Sequence, residues 1–148
     1  NMLAFPQEFA NAMRVALQQE IPLGEAEEAV MGFTHCLTGR ILAEKWKLTD
    51  DLVQVIAHHH AVGEDSTEDP MIALVHLGDQ LCRMRNLGYG YYERHKIDMV
   101  YDPAWSTLSK YHNLSQVDLA RFTFEFDEDL KEIELVVASV FGAGSARN

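Results

Sequence analysis

Long apolar runs are missing from this chain. Nowhere does one approach the ~18 residues that a membrane-spanning helix needs, and the first residues lack the basic-then-apolar pattern of an export signal. Basic residues are also scarce, 12 against 23 acidic ones, for a formal charge of −11. A chain so charged repels phosphate, and its densest basic pairs, Lys45 with Lys47 and Arg83 with Arg85, are too small to reverse that. A nucleic-acid or anionic-membrane surface is therefore not expected. Cysteine is limited to Cys36 and Cys82, both within leucine- and isoleucine-rich helical patterns. That usage indicates reduced thiols in a core and a cytoplasmic setting rather than a disulfide framework.

What is present suits one domain. The 148 residues are 47% apolar, enough to bury a single core, and no internal repeat or linker divides them. Proline punctuates the pattern as a helix starter. Pro6 opens a first helix carrying Phe9, Met13 and Leu17, and Ile21-Pro22-Leu23-Gly24 ends it. The acidic cluster Glu25, Glu27 and Glu28 then predicts a long helix reaching about Trp46. Its apolar face is Val30, Phe33, Leu37 and Ile41, and beside it run Met31, His35, Gly39, Leu42 and Trp46. Gly39, one turn after His35, leaves room for another backbone or a ligand.

Thr49, Asp50 and Asp51 start a short helix that ends at His58, His59 and His60. Its phase turns His59 and His60 toward the core and His58 toward water. After a polar loop, Asp69-Pro70 caps and starts a helix with Leu74, Leu77 and Leu81 as its main row. Ile72, Val75, His76, Asp79 and Cys82 flank that row, which makes Asp79 at least half buried. Asn86 to Asp102 is glycine- and tyrosine-rich and reads as an ordered loop. Asp102-Pro103 opens a further short helix with Trp105 and Leu108. Ser115 and Asp118 form a capping-box pattern before a long helix, in which Leu119, Phe122, Phe126, Leu130, Ile133, Val137 and Val140 keep a helical step. The resulting fold class is all-α, a compact bundle of about six helices, with a core over 6–87 and a helical extension over 103–141.

The chemistry-bearing residues are His35, His59, His60 and Asp79, on three consecutive helices whose apolar faces must meet. Imidazole nitrogen and carboxylate oxygen together suit Fe, Mn, Zn or Ni, and such an ion can hold phosphate oxygens and activate water. The same groups also serve as plain structure: a buried neutral His35, and His59 and His60 paired with Asp79 to satisfy polar atoms at helix ends. Spacing alone leaves both readings open. Gly88-Tyr-Gly-Tyr lacks the proline and the position of the Gly-Tyr-Pro signature of cyclic di-GMP phosphodiesterases, and Asn113-Leu-Ser is an N-cap region rather than a glycosylation site.

His35 with Gly39, then Trp46 and Leu48, then the VIAHHH segment and LVHLGD, resemble the later part of an HDOD domain, the signalling relative of the HD-type metal phosphohydrolases. The matching positions are His35, Gly39, Trp46, Leu48, His59, His60 and Asp79; Thr49 replaces the usual Pro and Gly78 the usual Ala. The resemblance implies an HD-domain-like helical fold and a bacterial cytoplasmic regulatory module without turnover of its own. Its partners would be other signalling proteins, the N-terminal half of an HDOD domain, or a second copy in a homo-oligomer. HD enzymes bind metal through a His-Asp dipeptide, and this sequence has none. His35, His59, His60 and Asp79 thus make half of an HD-type ligand set, vestigial or partial. The alternative is a metal-dependent phosphohydrolase whose remaining ligands lie outside this chain.

Overall fold

The computed structural model describes residues 4–63, 68–85, 99–114 and 117–141. Among them every regular element is a helix: α1 (Pro6–Gln19), α2 (Leu23–Met31), α3 (His35–Lys45), α4 (Asp50–His58), α5 (Pro70–Met84), α6 (Pro103–Tyr111) and α7 (Leu119–Phe141). None is long and apolar enough to cross a membrane. The chain forms two compact units, residues 1–111 with α1 to α6 and residues 112–148 with α7.

Small residues set the first helix pair. Ala12 and Ala16 of α1 and Ala26 of α2 are fully or almost fully buried, with Val15, Ile21, Leu23, Val30 and Met31 packed around them. Without large side chains at the crossing, the two backbones approach closely. Phe9 and Met13 are half-buried, whereas Leu17 is exposed.

The long helix expected from Glu25 to Trp46 is two helices, which raises the count to seven among the described residues. Gly32 takes a left-handed φ of 76° and closes α2, its N–H donating to the Glu28 carbonyl. Thr34 is extended and its hydroxyl accepts from Leu37 N, which starts α3. The break rotates everything after it. Leu37, Ile41 and Leu42, expected on or beside the apolar face, are exposed, and Trp46 is 64% exposed.

Gly39 meets the expectation of close approach, but its neighbour is a side chain. A Cβ there would lie 2.7 Å from Ile56 Cγ2, so α3 rests on α4 at that point. In α4, Val53 and Val55 are buried and Leu52 is not. In α5 the buried row is Ile72, Ala73, His76, Leu77 and Leu81, while Leu74 is exposed, a rotation of about one position from the pattern read in the sequence.

The proline caps are as expected. Asp69 accepts from Met71 N and Ile72 N at the start of α5, and Asp102 from Ala104 N at the start of α6. His76 ties these elements together, with Nδ1 2.8 Å from the His59 carbonyl oxygen and Nε2 3.0 Å from Asp102 Oδ2. In the second unit, Asp118 itself caps α7 by accepting from Arg121 N, rather than standing inside the helix as a capping-box partner. Phe122, Phe124 and Phe126 lie within α7, so helical spacing prevails over their strand-like alternation. The loop expected over 86–98 and the glycine-rich end after Phe141 lie outside the described residues.

Candidate functional site

The helix break at Gly32 to Thr34 makes His35 the first residue of α3. Its backbone N–H is therefore one of the donors that a helix start leaves without an intrahelical partner. Glu27 of α2 supplies the acceptor: its Oε2 lies 2.7 Å from His35 N and 2.6 Å from His35 Nδ1. Glu27 is 0% exposed. A buried carboxylate needs such pairing, and the positive end of α3 adds to it.

The other ring nitrogen of His35 faces α4. His35 Nε2 and His60 Nε2 are 2.9 Å apart. Beyond them, His60 Nδ1 lies 3.5 Å from Asp79 Oδ2 of α5, and Arg83 Nη2, one turn further along α5, sits 2.7 Å from the same oxygen. Arg83 Nη2 is also 3.2 Å from His60 Nδ1. A continuous polar chain thus runs Glu27, His35, His60, Asp79, Arg83. His59 stands beside it, its ring centroid 4.1 Å from that of His60 and 5.8 Å from that of His35. His59 Nδ1 points back along α4 to the carbonyl oxygens of Val55 and Ile56, at 3.2 and 3.1 Å.

Electrostatics assign the protons. Burial opposes charge on His35, but hydrogen bonds with Cys36 and Glu27 and their negative charge outweigh it and push the pKa up to about 10. His60 is driven down to about 2 by burial and by the neighbouring charges of His59, Arg83 and His35. Burial and the charge on His35 also lower His59. His35 is therefore the protonated imidazole of the group, donating through Nδ1 to Glu27.

The four residues singled out in the sequence thus lie in one neighbourhood. One ligand atom from each of His35, Cys36, His59 and His60 lies within 4.8 Å of the others, a group containing no carboxylate. Asp79 adjoins it through His60 and is paired with Arg83. Three participants were not singled out beforehand. Glu27 read as one of several acidic first-turn residues. Cys36 read as a core thiol, yet it is a half-buried free thiol beside the imidazoles. Arg83 carried one usable signal, its position four residues after Asp79 on a helix.

Residues 2–62, from α1 through the histidine run, match the HDOD domain family model. No curated protein and no solved structure is significantly similar to the chain.

Proposed function

We propose that this chain is a non-catalytic HDOD-type regulatory module that acts through protein contacts. The observation that carries the reading is the commitment of its carboxylates. Asp79 Oδ2 is ion-paired with Arg83 at 2.7 Å, although it receives no aligned hydrogen bond, and Glu27 is buried against His35. A phosphohydrolase centre of HD type needs acidic oxygens to bridge ions and place a hydroxide, and the imidazole group here has none among the described residues. The exposed apolar stretch Leu37, Ile41, Leu42 and Trp46 supports action through contacts, because such surface is costly to leave in water.

The alternative, a hydrolase completed by ligands from outside this chain, draws on the convergence of His35, His59, His60 and Asp79. Metal stoichiometry after loading with Mn or Fe discriminates. The module reading expects at most one bound ion per chain, and two ions per chain would overturn it.

A further inference from the structure

We propose that α7 of a second copy lies antiparallel along the outer side of α3, and that the reciprocal contact closes a two-fold dimer. The proposal rests on the regulatory reading for the use it makes of the exposed surface of α3, and it names what covers that surface: the acidic helix of another copy of this chain.

Each helix carries an exposed stripe in which apolar and charged residues share one line. On α3, Leu37, Ile41 and Lys45 follow one another at four-residue steps and are all exposed, Leu37 by 41% and Ile41 by 54%. Lys47 stands just past the helix end and is exposed as well. On α7, Phe122, Glu125, Asp129, Ile133 and Val136 recur at steps of three and four, and all are exposed, Ile133 by 47% and Val136 by 60%. Apolar residues at this spacing are what a helix ordinarily buries. Here they stay open on both elements.

Charge then matches the two stripes to each other. Residues 35–48 hold Arg40, Lys45 and Lys47 against a single acid, Glu44, whereas residues 119–141 hold six acids against Arg121 and Lys131. Asp50 and Asp51, which follow, belong to the first turn of α4, whose positive end already offsets them. Ion pairs form within each helix, Arg40 with Glu44, Arg121 with Glu125 and Lys131 with Glu128. Lys45, Lys47 and Asp129 have no ion-pair partner among the described residues. A chain of net charge −11 repels its own copies, so self-association needs a local match of opposite charge. The same repulsion disfavours α7 against α7, which would bring Glu125 and Asp129 up to their own counterparts.

Order along the axis sets the direction. Read from its start, the α3 stripe is apolar and then basic, while the α7 stripe from Glu125 onward is acidic and then apolar. An antiparallel pairing therefore sets Leu37 and Ile41 against Ile133 and Val136 while Lys45 and Lys47 meet Glu125 and Asp129; a parallel one sets charge against apolar surface at both ends. The lengths agree, since Leu37 to Lys47 and Glu125 to Val136 each span roughly 15–17 Å at the helical rise per residue. A two-fold axis makes the contact twice, so each stripe counts double toward the ~1,000 Å² that a specific interface clears.

The test is sedimentation equilibrium of the full chain and of two charge-reversed variants, each checked for unchanged helical circular dichroism. The unaltered chain should be a dimer. Lys45→Glu with Lys47→Glu in one variant, and Glu125→Lys with Asp129→Lys in the other, should each weaken dimerisation at least ~10-fold, because both contacts then join like charges. Mixed in equal amounts, the two variants should form a heterodimer within ~10-fold of the original affinity, since each contact again joins opposite charges. Docking of α7 within one chain would not produce that recovery. A unaltered chain still monomeric at about 100 μM, above the micromolar limit for an interface of ordinary size, overturns the proposal. So does a dimer that neither charge reversal weakens, or a mixture of the variants that fails to associate. Each of these results leaves the absence of turnover standing, whereas cleavage of a phosphodiester would remove the regulatory reading and leave the dimer in place.

Discussion

A single oxygen of Glu27 accepts from both the backbone and the ring of His35, at 2.7 and 2.6 Å. The pair fastens α2 to the first turn of α3 across the Gly32 break, and it sets which nitrogen of His35 faces His60. Replacing Glu27 with Ala leaves a helix-start donor and a half-buried imidazolium without their partner. The expected loss is about 3 kcal/mol, discounted within the range for broken buried pairs because His35 keeps some solvent contact. Glu27→Gln, which retains an acceptor for the backbone N–H, should cost about 1 kcal/mol. Urea denaturation of both variants checks the difference; equal losses would mean that the charge is irrelevant.

The two linked imidazoles give the metal-free protein a stability maximum near neutrality. The folded pKa of His35 is raised to about 10, so its contribution is fully present below the unfolded value of 6.5 and is lost as pH rises through about 10. His60 is shifted the other way, to about 2, so folding binds fewer protons there and stability falls as pH drops from 6.5 toward 2. Thermal melts across pH in the presence of chelator should show both limbs. His35→Asn should flatten the alkaline limb and His60→Asn the acid one.

Gly39 is a packing residue. Alanine would gain about 1 kcal/mol in helix propensity, but its Cβ meets Ile56 Cγ2 at 2.7 Å. Ile56 is β-branched and yields poorly, so overpacking of about 1–3 kcal/mol should win. Gly39→Ala is expected to destabilise by about 1 kcal/mol net. In the double variant with Ile56→Ala, which removes Cγ2, the Gly39→Ala change should turn neutral or stabilising. Additivity in that double-mutant cycle would place the clash elsewhere.

His76 is expected to matter for stability more than its place beside a leucine row suggests. It is 7% exposed and lies between the His59 carbonyl and Asp102. His76→Phe should cost about 2–3 kcal/mol, because it strands a buried carboxylate and a carbonyl. Unfolding midpoints of His76→Phe and Asp102→Asn, and of the pair together, should be strongly non-additive.

The helix starts were legible because each has a local cause. Pro6, Pro70 and Pro103 open helices by fixing φ in the first turn, and Asp69 and Asp102 add a side-chain cap, whatever the rest of the chain does. The meeting of His35, His60 and Asp79 was legible too, since short amphipathic helices must bury their faces together. The break after Met31 was not, because apolar periodicity runs straight through it. Gly32 followed two residues later by Thr34 was the available signal: a left-handed closer and then an N-cap. Missing it put Leu37 and Ile41 on a buried face and hid the role of Glu27, which exists only because His35 starts a helix. Cys36 was overlooked for the same reason, as a core thiol in a continuous helix rather than a first-turn neighbour of His35.

The central claim, a module without turnover, is tested most directly by the rate at which the Mn- or Fe-loaded chain cleaves a generic phosphodiester, compared with the ion alone and with Arg83→Ala, which releases Asp79. No cleavage above the ion's own rate is expected for the unaltered chain. Turnover by the unaltered chain that disappears in His59→Ala would contradict it.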